Sequence, residues 1–345
     1  MGDAVASRAG RRYRRAHRLR TSRRGVVAVV GTLLALLVFF ALFGVFLTQY
    51  VPLWMTDNES QFTAQSAASF AQLKSYIDSQ YALHGPPVLG TPFALQSNGI
   101  PLLAAATQAT LEFIPSNCPG GFTATGASAG QPVNKYDCNF ANVTIGYGPG
   151  GQGTPYHQSM ATGILQMSLP NRYYTPETFF MEDDAVIQAQ YGGYQIVAFP
   201  PPLNVSSYAG NTTVTTSLVQ LYGNATSVVG QQSQEVFNTF RYSQTVTSNG
   251  KVVGSTLSPT DFVFEIGTMY PCAWFSYLTS VMSGSGLAST HYSITQNGTT
   301  TAPTTSYCQN LPSITTIVEL NIQYVVNYVT LFYAGTTLSL GVGGS

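Results

Sequence analysis

Few residue groupings in this chain have the types and spacing to do chemistry. GASAG, residues 126–130, matches the G-x-S-x-G turn in which a serine, here Ser128, acts as nucleophile. That turn needs a strand before it and a helix after it. Ser128 instead sits in GGFTATGASAGQPV, a stretch of small residues that reads as a loop. GYGPGGQG, residues 146–153, is rich in glycine but lacks the Lys-Ser/Thr pair and the helix start of a phosphate cradle. Glu182, Asp183 and Asp184 are consecutive, and adjacent carboxylates outside a cell suit calcium, which takes roughly six to eight oxygens. Their spacing is not that of a calcium loop, and a solvated turn entering a hairpin at Ala185 is the simpler reading. His84, His157 and His291 are isolated and share no ligand spacing. No metal, no cofactor and no catalytic residue is expected, so the chain is not expected to be an enzyme. An anchored hydrolase using dispersed carboxylates would leave no motif, and stands as a third reading behind the two given below.

The four cysteines fall into two local pairs, Cys118/Cys138 and Cys272/Cys308. In an oxidising compartment such pairs form disulfides; other connectivities, free buried thiols or a metal are the alternatives. Six N-x-S/T sequons start at Asn58, Asn142, Asn204, Asn211, Asn224 and Asn297, and are acceptors for glycans if this part of the chain is outside the cell.

What would put it outside is the N-terminal segment. Residues 1–24 hold nine arginines and one acid, whereas residues 25–345 hold five basic and thirteen acidic side chains, so the zero net charge hides two opposed ends. Val26 to Thr48 is 23 residues without a charge. At about 1.5 Å per residue a helix of that length exceeds a hydrocarbon core of about 30 Å. It is longer than a cleavable secretory core of about 7–15 residues, and LTQYVPLW offers no small-residue cleavage site. After Arg24 the next basic residue is Lys74, so the positive-inside rule places the N-terminus in the cytoplasm and the rest outside. The basic tail is then explained without nucleic acid.

Beyond the span the elements change twice. Pro52 predicts a bend. In NESQFTAQSAASFAQLKSYIDSQYAL, Phe62, Phe70, Leu73, Ile77 and Tyr81 fall on one helical stripe, which HGPPVLG ends. From about residue 88 the pattern has period two. DFVFEIG alternates through Phe262, Phe264 and Ile266. VELNIQYVVNYVTLF puts Val318, Leu320, Ile322, Tyr324, Val326, Tyr328 and Phe332 on one face, with a bend near Asn327. Gly192-Gly193 and Asn249-Gly250 predict hairpin turns. AWFSYLTSVM, residues 273–282, is the best helix in the second half, and SGSGLAS, residues 283–289, reads as flexible.

The expected fold class is mainly β with a long N-terminal α-helix: a transmembrane then amphipathic helix, followed by an extracellular antiparallel β-sandwich-like domain of two stacked sheets. The expected organisation is a basic cytoplasmic leader over 1–25, a transmembrane helix over 26–50, an amphipathic helical stalk over 51–87 and a β-rich domain over 88–345. Pro200-Pro201-Pro202 marks a candidate subdomain boundary near 200.

RRGVVAVVG resembles the processing site of archaeal type IV pilins and pilin-like surface proteins, matching at Arg24, Gly25, Val26, Val29 and Gly31. Val27 and Ala28 depart from the small polar residue and proline common there, and Val30 stands where bacterial pilins have glutamate. LYGNATSVVGQQSQEVF and FEIGTMYPCAWFSYL resemble the C-terminal halves of such proteins, through Ser227, Val228, Gly230, Tyr270, Pro271, Ala273 and Trp274. The resemblance implies cleavage by a prepilin-type peptidase between Gly25 and Val26, which removes the leader and keeps the anchor. It also implies assembly with copies of itself or other pilin-like subunits, the apolar helices shielding one another from water. A signal anchor that is never cut is the plainer alternative.

The chain has 21 tyrosines and 19 phenylalanines, most of which core packing and cross-strand pairs absorb. Its sparse charges fit a glycosylated coat or an acidic medium. The expected function is that of a membrane-anchored, pilin-like structural or adhesive surface protein. Its expected partners are the membrane, the peptidase, related subunits and surface glycans. The alternative is a non-assembling anchored protein that binds glycan or solute.

Overall fold

A computed structural model of the chain describes residues 27–83, 88–116, 139–147, 156–230, 233–248, 259–300, 308, 316–324 and 326–341. Arg24, Gly25 and Val26 of the expected processing site lie outside the described residues, as do His84, Cys118, Ser128, Cys138 and the Asn249-Gly250 turn. The chain forms two compact units. One comprises residues up to Thr56 together with Ile100–Ala105, and the other Asp57–Gly99 together with Ala106–Ser345.

In the first unit, helix α1 covers residues 27–45 and leads into a π turn at Phe46–Tyr50. Helix α2 (Val51–Leu83) starts here. Pro52 has no N–H to give the carbonyl four residues back, and its ring crowds that carbonyl. The wider turn accommodates this: the Val51 N–H reaches the Phe46 carbonyl, and the Thr48 hydroxyl donates to the Gly44 carbonyl at 2.9 Å. Where the sequence predicts a bend, the ladder changes its spacing.

The second unit is mostly β. In chain order its strands are β1 (Leu89–Phe93), β2 (Thr110–Ile114), β3 (Phe140–Tyr147), β4 (Tyr156–Ala161), β5 (Ile164–Leu169), β6 (Glu177–Glu182), β7 (Ala185–Gln190) and β8 (Gln195–Phe199). They continue as β9 (Asn204–Tyr208), β10 (Asn211–Tyr222), β11 (Thr226–Val229), β12 (Gln234–Ser248), β13 (Pro259–Thr268), β14 (Tyr292–Gln296), β15 (Thr316–Ile322) and β16 (Tyr328–Gly341). Helix α3 (Pro271–Gly284) follows β13.

Among the described residues the strands form three sheets, where two were expected: β1-β12-β16-β10-β9, β11-β2-β5-β6-β7-β8 and β14-β15-β13-β3-β4. Among the described strands all pairs are antiparallel except β10–β16, which is parallel. Long-range pairing of this kind is invisible to local alternation, which reports a face but not a neighbour. The chain crosses Pro200-Pro201-Pro202 from one sheet to another, within a single compact unit.

Two apolar clusters fill the unit. In one, Phe62, Phe70, Leu73 and Ile77 of α2 pack among Phe93, Phe113 and Phe179. The Phe70 ring lies 5.1 Å from Phe93 and 5.8 Å from Phe179. From Asp57 onward the apolar stripe of α2 is therefore part of the core. The other cluster joins Phe262, Phe264 and Ile266 of β13 to Val318, Leu320 and Ile322 of β15 and to Trp274 and Leu278 of α3.

Two expected patterns change. VELNIQYVVNYVTLF is two strands in two sheets, β15 and β16, joined through residues 323–327. The crossing shifts the phase by one residue, so Val329 and Leu331 are buried while Tyr328 and Phe332 face water. SGSGLAS is ordered: Ser283 and Gly284 finish α3, and the Ser285 carbonyl accepts the Ser207 N–H at 2.7 Å. Gly286, at φ +77°, lies so close to the Ser207 carbonyl that a Cβ there would sit 2.8 Å from it.

Candidate functional site: an apolar helix and the carboxylate seats of a domain

The apolar side chains of α1 are exposed along its length, with ring contacts inside the helix from Phe39 to Phe40 and Phe43. Val27, Leu33, Leu37, Phe39, Phe40 and Leu42 are all exposed, and the continuous helix that begins at Val27 is long and apolar enough to cross a membrane. The π turn and the start of α2 carry an aromatic group. The Phe46 ring lies 6.0 Å from Tyr50 and 5.6 Å from Trp54. Tyrosine and tryptophan favour the boundary between hydrocarbon and headgroups, because each has an apolar body and a polar tip.

In the second unit, the rest of α2 is held by polar contacts along its length. Glu59 is fully buried, and its carboxylate fills a nest of backbone donors. Oε2 accepts the N–H groups of Arg172 at 3.0 Å, Tyr173 at 2.7 Å and Tyr174 at 2.8 Å. Oε1 accepts the Thr107 hydroxyl at 2.5 Å. Burial pushes this carboxyl up, but the Thr107 hydroxyl and the three N–H donors outweigh it and hold it below its usual value. Asn171 donates to the Thr63 hydroxyl at 3.0 Å, Ser69 to the Pro92 carbonyl at 2.8 Å, and Asn238 to Gln80 Oε1 at 2.9 Å. Sequence reasoning missed Glu59, because its partners lie 48 to 115 residues away.

The Glu182–Asp184 run is not a solvated turn. Asp183 at φ 42° and Asp184 at φ 61° make the two-residue turn between β6 and β7, with Glu182 opposite Ala185, and all three acids are buried. Glu182 Oε1 accepts the Trp274 Nε1–H at 2.7 Å and also the Thr268 hydroxyl. Asp183 Oδ1 accepts the Val219 N–H at 2.8 Å. Lys74 Nζ stands 3.2 Å from Asp184 Oδ1 and 3.0 Å from Asp78 Oδ2. Burial pushes all three carboxyls up, Glu182 to about 7. Burial pulls Lys74 down, but the charges of Asp184 and Asp78 outweigh it and hold the amine above its usual value. Asp184 therefore has an ion-pair partner in Lys74, whereas Glu182 and Asp183 are held by neutral hydrogen-bond donors. Among the described residues no three His, Cys, Asp or Glu side chains are grouped to hold a metal.

The YPCAW stretch forms the start of α3. Pro271 opens the helix, Cys272 is bonded to Cys308, and Trp274 reaches Glu182. His157 contacts the Thr144 hydroxyl at 2.9 Å, and the His291 ring stacks on Tyr324 at 4.2 Å.

Five of the six sequon asparagines reach the surface. Asn204, Asn211, Asn224 and Asn297 are exposed, and Asn58 is half-buried. Asn142 is 2% exposed. Its Nδ2, the atom a glycan would occupy, donates to Glu265 Oε2 at 2.5 Å, and its Oδ1 accepts the Ser159 hydroxyl at 3.0 Å.

A surface cavity of about 760 Å³ lies beside the β7–β8 turn. On its lining Glu177 accepts the amides of Gln188 at 2.6 Å and Gln190 at 2.7 Å, and Tyr191 at the turn is 91% exposed. Gly192 and Gly193 both have positive φ there, as the predicted hairpin requires. Compared with known protein families, with curated proteins and with solved structures, the chain matches none.

Proposed function

We propose that the chain is a single-pass surface protein: α1 lies in the membrane, and the β domain stands outside as a pilin-like structural or adhesive subunit. The observation that carries this reading is the bare apolar face of α1, which water disfavours and lipid or neighbouring apolar helices would cover. The aromatic group at Phe46, Tyr50 and Trp54 suits the outer boundary of the span, and the arginine-rich tail suits the inner one. The disulfide between Cys272 and Cys308 fits an oxidising exterior. In this reading a prepilin-type peptidase cuts after Gly25, and the helices of neighbouring subunits pack together. Mass spectrometry of the N-terminus of the membrane-extracted protein tests the processing step. A chain beginning at Val26 supports it, and an intact arginine-rich tail points to an uncut signal anchor.

The cavity beside Tyr191 favours a second reading, an anchored glycan-binding protein. Half-buried amides and a buried carboxylate beside an exposed aromatic ring are groups that bond sugar hydroxyls and cover a sugar's apolar face. Loss of glycan binding in Tyr191→Ala, with the fold intact, would favour this reading; binding unchanged in the variant would remove its support.

A further inference from the structure

We propose that the loop Ile100–Ala105 is a second membrane contact, inserting Leu102 and Leu103 into the headgroup–acyl boundary beside the helical anchor. The proposal rests on the membrane reading of α1 and adds a surface to it.

The loop is a tight turn with an unusual residue at its tip. The Leu103 N–H bonds the Ile100 carbonyl at 3.0 Å, with Pro101 second in the turn and Leu102 third at φ 66°. That third position of a type II turn favours glycine or asparagine, which tolerate positive φ. A leucine stands there instead, and it is 106% exposed. Leu103 and Pro101 beside it are also exposed. A fully solvated leucine in a strained backbone position contradicts both local rules, and such conflicts concentrate at functional surfaces.

Two further observations select lipid as the occupant. First, the loop pairs the backbone groups at its base. The Ile100 N–H bonds the Ala104 carbonyl at 2.9 Å, the Ala104 N–H returns to the Ile100 carbonyl at 3.0 Å, and Pro101 has no N–H. Paired backbone groups lose less on entering an apolar phase than unpaired ones. Residues 79–111 contain no Asp, Glu, Lys or Arg, so the loop and its neighbours in sequence bring no charged side chain of their own to the boundary. Second, the loop groups with the helical segment up to Thr56, not with the β domain that follows it in sequence. Leu53 and Trp54 of that segment are exposed apolar side chains as well. The loop thus extends the apolar surface of the unit that contains the anchor.

The test labels the full chain with the environment-sensitive dye NBD at one introduced cysteine, without reductant, the unsubstituted chain being the labelling blank. The sites are Leu102→Cys, Ala35→Cys in α1, and Tyr208→Cys on the exposed β9. Each labelled chain is reconstituted into phosphatidylcholine vesicles with or without lipid spin-labelled near the headgroup end of the acyl chain. The proposal expects the spin label to quench dye at 102 at least twofold more than dye at 208. Quenching at 35 with none at 102 overturns the loop contact and leaves the anchor standing. No quenching at either overturns the anchor and the loop with it. A blue shift at 102 that follows protein concentration and ignores the lipid quencher assigns the loop to contact between copies, and overturns the proposal as well.

Discussion

The indole nitrogen of Trp274 donates to Glu182 Oε1 at 2.7 Å, tying the first turn of α3 to the end of β6. Both partners are buried, so this carboxylate has exchanged water for two protein donors and little else. The consequence is a pH dependence. Burial raises Glu182 to about 7 in the fold, above the 4.5 of the free group, and raises Glu265 and Glu319 in the same direction. A raised carboxyl contributes stability that is complete below its unfolded value and lost as pH climbs through its folded value. Between pH 4.5 and about 7 the β domain should therefore weaken, Glu182 alone contributing on the order of 3 kcal/mol. Urea unfolding of the detergent-solubilised chain, followed by tryptophan fluorescence, should give a higher midpoint at pH 5 than at pH 8. Equal midpoints, or a higher one at pH 8, would contradict the burial described.

Glu59 acts in the opposite sense. Its lowered carboxyl favours the charged form, so its contribution fades only as pH falls below the ordinary carboxylate range. Glu59→Gln removes the charge and leaves some of the N–H groups of Arg172, Tyr173 and Tyr174 without an acceptor. The expected loss is about 2–4 kcal/mol at pH 7. Urea midpoints of the variant and parent chains measure it, and a difference near zero would mean that the nest does not hold α2.

The register of β3 makes a prediction about modification. Asn142 faces Glu265 across the β3–β13 pair, and a sugar on its amide would have to break that bond and enter packed protein. Glycopeptide mass spectrometry of the protein from its native membrane is expected to find Asn142 bare, whatever the occupancy of Asn204, Asn211, Asn224 and Asn297. A glycan on Asn142 would show that β3 pairs after modification or in another register.

Elements ruled by local pattern were legible from sequence. Phe262, Phe264 and Ile266 alternate because β13 buries one face, and Phe62, Phe70, Leu73 and Ile77 recur because α2 does the same at helical spacing. Gly192-Gly193 marked its turn through the positive φ that only such residues adopt freely. Relationships carried by distant partners were not legible. Nothing near Glu182 in sequence announces Trp274, and nothing near Glu59 announces residues 172–174, so three consecutive acids read as solvated. One signal was available: Asp183-Asp184 between alternating apolar runs fits a two-residue hairpin turn as Asp-Gly does. The phase change between Ile322 and Tyr328 was hidden because a strand that switches sheets keeps its alternation and loses only its reference face.

The central claim is that α1 remains in a bilayer with the β domain on the outer side. An epitope tag appended after Ser345, probed with antibody on intact cells, tests it most directly. The account predicts labelling without permeabilisation, on protein that stays with the membrane through alkaline carbonate extraction. Labelling only after permeabilisation, or tagged protein released by carbonate, would contradict it.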